Sequence, residues 1–136
     1  MTKKLHLSTF QIGAPATPEQ GLRIGVTRHP PRGVPKERWV VDGYFDVWFP
    51  ILAPYAKLVT QIRNLPAENT SEREKLFSRY ERELLADADG RQAVDLIAQI
   101  ATRMPISIGC FCEEESRCHR SRLFKIIMEH VEAGNQ

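Results

Sequence analysis

Pro105-Ile106-Ser107-Ile108-Gly109-Cys110-Phe111-Cys112-Glu113-Glu114-Glu115-Ser116-Arg117-Cys118-His119-Arg120 is the stretch on which the reading of this chain turns. Ile106, Ile108, Cys110 and Cys112 recur at period two, which predicts a strand over 105–112 with those side chains on one face. Leu123, Ile126, Ile127 and Val131 follow at helical spacing, so 116–130 reads as an amphipathic helix with Gly134 as its terminator. All three cysteines of the chain fall within 110–118, and His119 follows directly. The junction between a strand's carboxyl end and the next helix is where open α/β sheets bind ligands.

Outward from this junction the chain alternates strands and helices. Residues 5–12 and 22–27 read as strands, the second with Leu22, Ile24 and Val26 on one face. Gly13 to Gly21 reads as a loop, and Pro30-Pro31 stops any central strand. Residues 39–55 are apolar but broken by Pro50 and Pro54, which predicts a packed, partly helical segment. A helix is expected over 55–64. Another opens at 69–71, with Ser71 and Glu74 at capping-box spacing and a stripe of Leu76, Phe77, Tyr80 and Leu84. Asp89 with Gln92 would cap a third, whose stripe includes Val94, Ile97, Ala98 and Ala101. This alternation predicts one α/β domain over residues 1–136. Its form would be a three-layer sandwich with a mainly parallel sheet and helices on both faces.

Composition narrows the class. At 136 residues, 42% hydrophobic and 26% charged, the chain can bury a core and is not of disordered type. A net charge of +2 does not by itself call for nucleic acid. Residues 23–38 are locally basic, however, with Arg23, Arg28, Arg32, Lys36 and Arg38 against Glu37 alone. Lys3 and Lys4 are not followed by the apolar core of a signal peptide, and no stretch approaches the ~18 apolar residues of a membrane span. Three clustered cysteines do not read as a secreted disulfide framework. A soluble, cytoplasmic protein without membrane association is the expectation.

Three chemistries fit the cysteine run. In the first, Cys118 at the helix start is a nucleophile assisted by His119 or Arg120, with Cys112 able to resolve an oxidised intermediate. In the second, Cys110, Cys112, Cys118 and His119 hold zinc or another soft metal. In the third, the cysteines are inert core. Glu113, Glu114 and Glu115 would raise thiol pKa values and repel phosphate, whereas a cation would tolerate them. Arg117, Arg120 and Arg122 offset their charge. If the strands are parallel, Arg28, His29 and Arg32 leave the same rim and face the cysteines across a crevice. Tyr80 and Glu83 could join from the middle helix.

At these residues the chain resembles the large bacterial family called domain of unknown function 488, and within it the YeaO-like group. The resemblance is carried by Cys110-Phe111-Cys112, by Cys118-His119-Arg120, and by the run Gly21, Arg23, Arg28, Pro31, Arg32, Gly33 and Lys36. Ala53-Pro54 and Arg79-Tyr80-Glu81-Arg82-Glu83-Leu84 are similar too, so that it spans roughly residues 20–130. Two features depart from the pattern. Pro30 stands where a tryptophan is common, and glutamates stand where the family's loop tends toward Lys-Asp-Pro. The resemblance implies an α/β sandwich with a parallel sheet and an active site around the Cys-His-Arg residues.

The reading is then an enzyme acting on an anionic substrate, with a nucleotide or nucleic acid among the partners such arginines suit. Cys118, His119, Arg120 and Cys112 would be catalytic, and Arg28, Arg32, His29 and Tyr80 would bind substrate. The alternative is a zinc-stabilised or thiol-redox module that binds or senses without catalysis.

Overall fold

Among the described residues, four short strands form: β1 Leu7–Gln11, β2 Leu22–Gly25, β3 Val47–Trp48 and β4 Ile106–Cys110. All pair in parallel, in the order β1-β4-β2-β3. Four α-helices follow the strands: α1 Ala56–Arg63, α2 Thr70–Ala86, α3 Ala88–Ala101 and α4 His119–Gly134. The computed structural model describes residues 6–134, so Lys3, Lys4 and Leu5 lie outside the described residues. None of the described helices is long and apolar enough to cross a membrane.

The pleat sorts side chains to two faces. Ile24, Ile106 and Ile108 point to the face covered by helices, where they pack with Leu58, Leu76, Tyr80, Val94, Ile97, Leu123 and Ile127. Burying each of these aliphatics contributes about 1.5–3 kcal/mol, so β4, buried along its whole length, is the best anchored strand. The opposite face carries Phe10, Ile12 and Phe45, with Trp39, Tyr44 and Trp48 against them. This second layer is extended loop, and its helical content is a 3-10 turn at Lys36–Arg38 leading into Trp39.

Glycine decides how closely that layer sits. A Cβ on Gly109 would lie 2.2 Å from the Phe10 ring, and one on Gly25 would lie 2.5 Å from the Phe45 ring. Arg23 nails the layer down from within. It is 4% exposed, lies over the Phe10 ring at 4.2 Å, and donates to the carbonyls of Gly43 and Ala14.

The expected α/β sandwich with a parallel sheet is present. The α-helices, expected on both faces, cover one, because the residues packed on the other are loop. Element ends differ as well. β4 stops at Cys110, which leaves Cys112 in the loop. The final helix starts at His119, after a 3-10 turn at Glu115–Arg117. β2 ends at Gly25, although Val26 still donates to the Gly109 carbonyl. The cap of α2 is Asn69, whose side chain accepts from the Glu72 amide, rather than Ser71. The cap of α3 is Asp87, which accepts from the Asp89 amide, so Asp89 is already inside the helix. Short Asx side chains reach back to the first free amides from one residue before the helix, and Asn69 and Asp87 stand there. In the segment 39–55, a 3-10 turn at Pro50–Leu52 and the brief β3 are the regular pieces. Val40 and Val41 are exposed rather than packed.

Candidate functional site

Parallel pairing sends the carboxyl ends of β2 and β4, which are neighbours, to one rim. The loop that follows β2 through Thr27, Arg28, His29 and Arg32 therefore meets the loop that follows β4 through Cys110, Phe111 and Cys112. Between them lies an open pocket of about 440 Å³, whose lining includes these residues together with Pro30, Arg117, Cys118 and His119. One wall is α1, which presents Val59, Ile62 and Arg63.

The three sulfurs gather beside this pocket, all within 4.8 Å of one another. Cys110 and Cys118 are buried, whereas Cys112 is exposed. Cys110 Sγ lies 3.9 Å from Cys112 Sγ and donates to it. The hydrogen bond from Cys110, with the Cys118 sulfur and the charge of Arg120 close by, shifts the Cys112 thiol below its ordinary value of 9.0. The neighbouring sulfurs of Cys110 and Cys112, together with burial, push Cys118 up. Cys110 is also raised, chiefly by its bond to Cys112. Of the three, Cys112 is the exposed sulfur, and Cys110 is the thiol that donates to it.

His119 joins the two loops. Its Nε2 lies 2.7 Å from the Val26 carbonyl, which can only accept, so Nε2 carries the proton. Burial depresses its pKa to about 4, and the ring is neutral near pH 7. Nδ1 is left as a bare acceptor 3.7 Å from Cys118 Sγ. Tyr80 packs edge-on against this ring, with centroids 5.5 Å apart.

Several side chains singled out in the sequence are spent on the fold. Arg28 borders the pocket, but its guanidinium donates to the carbonyls of Pro54 at 2.9 Å, Ala53 at 2.8 Å and Pro50 at 3.1 Å. Arg120 is buried and donates to the Cys112 carbonyl at 2.8 Å, so it shapes the cysteine loop from behind. Tyr80 does not line the pocket, because its hydroxyl donates to the Leu52 carbonyl at 2.5 Å within the core. Glu83 pairs with Arg79 on α2 and borders a separate cavity. Arg32 and His29 are on the pocket lining and exposed.

Arg63 and Arg117 were not among the expected binding residues, yet both border this pocket and a second cavity that shares Cys112 with it. Arg63 follows Val59 by four positions at the end of α1, and that helical spacing is the one trace of it in the sequence. Of the three glutamates, Glu115 is held by the Thr9 hydroxyl at 2.8 Å. Glu113 and Glu114 face the second cavity beside Arg63 and Arg117.

The cluster can therefore act in two ways: as one exposed thiol supported by a buried thiol donor, or as three sulfur ligands around one metal ion. A protein-family model described as the active DUF488-N3 subclade, DUF488-N3a, matches residues 7–131. No curated protein and no solved structure matches the chain.

Proposed function

The chain belongs to the domain of unknown function 488 family, in the subclade described as active, and from that membership we propose that it is a thiol enzyme acting on an anion-bearing substrate. The observation that carries this reading is that the one exposed sulfur, Cys112, is also the one receiving a thiol hydrogen bond, from Cys110, and it opens onto a pocket bordered by arginines. Cys112 is the nucleophile. Cys110 holds its negative charge by donating to it, and His119, anchored at Val26, fixes the Cys118 thiol through Nδ1. Arg32, Arg63 and Arg117 receive the substrate's carboxylate or phosphate. Val59, Ile62 and Phe111 face its apolar part. A volume of about 440 Å³ suits one small molecule, such as a nucleotide.

Alkylation tests this directly. Iodoacetate and iodoacetamide, applied at pH 6 and mapped by mass spectrometry, should label Cys112 ahead of Cys110 and Cys118. The ratio of the anionic to the neutral reagent's rate should exceed that of free cysteine. It should fall toward that of free cysteine in Arg63→Ala and Arg117→Ala. First labelling at Cys118, or a ratio equal to free cysteine, removes the reading.

The sulfur spacing favours a second reading, in which Cys110, Cys112 and Cys118 hold zinc with His119 beside them. Zinc–sulfur bonds of about 2.3 Å set tetrahedral sulfurs roughly 3.8 Å apart, close to the 3.9 Å between Cys110 and Cys112. Elemental analysis giving one zinc per chain, lost in Cys112→Ser, would establish it.

A further inference from the structure

A nucleophilic thiolate that transfers an acyl or phosphoryl group needs a base or donors around it, but has no use for a second thiol within reach of its own sulfur. Here Cys110 Sγ stands 3.9 Å from Cys112 Sγ, and Cys110 is buried where Cys112 is exposed. Cys118 is close as well, within 4.8 Å, but its sulfur faces His119 Nδ1. An exposed attacking sulfur backed by a sheltered one has a specific chemical use, which is to open a disulfide and then resolve the mixed product.

We propose that the substrate class of this site is a small anionic disulfide, reduced by Cys112 as the attacking thiol and Cys110 as the resolving thiol. The inference rests on the reading of Cys112 as the nucleophile. Cys112 S⁻ attacks one sulfur of R–S–S–R, so the Cys112–S–S–R bond forms, the R–S–S–R bond breaks, and R–S⁻ leaves. The Cys110 sulfur, giving its proton to the departed R–S⁻, then attacks Cys112 Sγ. A Cys110–Cys112 disulfide forms and a second R–S⁻ leaves. Two electrons pass from the cysteine pair to the substrate, and an external dithiol returns them to the protein.

The pocket supplies the selectivity. Arg32, Arg63 and Arg117 border it, and the neighbouring Arg28 and Arg120 are tied to carbonyls. A focused positive field of this kind changes encounter rates by about tenfold or more for charged reactants. A disulfide whose two halves carry carboxylates is drawn in, and a cationic disulfide is turned away. Phe111 and Ile62 leave room for an uncharged stretch between sulfur and carboxylate.

Oxidised glutathione and cystamine, an anionic and a cationic disulfide, are the probes. With the wild-type chain, oxidised glutathione should give a product two hydrogen atoms lighter, with the Cys110–Cys112 bond found by peptide mapping. In Cys110→Ser, one glutathione should remain attached at Cys112. Against free cysteine as reference, the anionic probe should outpace the cationic one by about tenfold. That preference should collapse in the rim variants Arg63→Ala and Arg117→Ala, which leave the buried sulfurs untouched. The proposal is overturned by a stable mixed disulfide in the wild type, by a Cys112–Cys118 bond in its place, or by equal rates for the two probes. If iodoacetate labels Cys112 normally while neither disulfide reacts, this inference fails and the thiolate reading stands. If Cys112 is inert to all three reagents, both fail.

Discussion

The loop after β2 and the loop after β4 leave neighbouring strands at the same rim, but they use their reactive side chains in opposite ways. In the first, Arg28 turns back into the protein and binds three carbonyls of residues 50–54. In the second, Cys112 turns outward, and the buried Cys110 donates toward it. One loop is closed by its charge, and the other is left open by its sulfur. Charge near a rim is thus no guide to contact with a ligand until its backbone partners are known. An arginine with satisfied donors contributes field, while an exposed thiolate contributes chemistry.

Substitutions sharpen the contrast. Arg28→Ala leaves three carbonyls without their donor and should cost roughly 4 kcal/mol, read as a lower urea midpoint at unchanged slope. A cost under about 1 kcal/mol would mean that the first loop is no more closed than the second.

His119 ties the two loops together, and its contribution depends on pH. Its folded pKa of about 4 lies below the unfolded value of 6.5. Its contribution is therefore complete above pH 6.5 and is lost as pH falls toward 4, where the unfolded chain gains a proton that the folded one refuses. The wild type should lose about 3 kcal/mol more than His119→Gln between pH 7.5 and pH 4 in parallel denaturant titrations. Equal losses would show that the ring is not held neutral between Val26 and Cys118.

Tyr80→Phe should cost about 1.5 kcal/mol, because the Leu52 carbonyl loses its buried partner. Iodoacetate labelling of Cys112 should be unchanged, since the hydroxyl faces the core and not the pocket. Cys112→Ser should change stability least, by no more than about 0.5 kcal/mol, because the side chain is exposed. It should also abolish labelling. A large loss of stability in Cys112→Ser would recast the second loop as structural.

The architecture was legible where the signals are local. Alternating isoleucines marked β4, the apolar stripes of α2, α3 and α4 marked their buried faces, and parallel strands brought the two loops to one rim. What escaped depends on distant partners. Nothing near Arg28 in sequence announces the carbonyls of Pro50, Ala53 and Pro54. Arg63 looks like any solvated arginine at a helix end until α1 is laid along the pocket. The order of the cysteines was hidden by a single boundary. Alternation carried through 112 buries Cys112 with Cys110, whereas β4 ends at 110 and turns Cys112 out while Cys118 goes in. Helix caps were misjudged because two short polar residues compete within a few positions, and only backbone direction separates them.

Gly109, pressed against the Phe10 ring, is directly bonded to Cys110. An alanine there would force ring and strand apart at the position that fixes where the Cys110 sulfur stands. A methyl group on the far side of the sheet from the pocket would then detune the thiol pair without touching it. A screen for lost reactivity should return lesions on both sides of the molecule, and the tryptophan-rich side would be as fertile as the mouth.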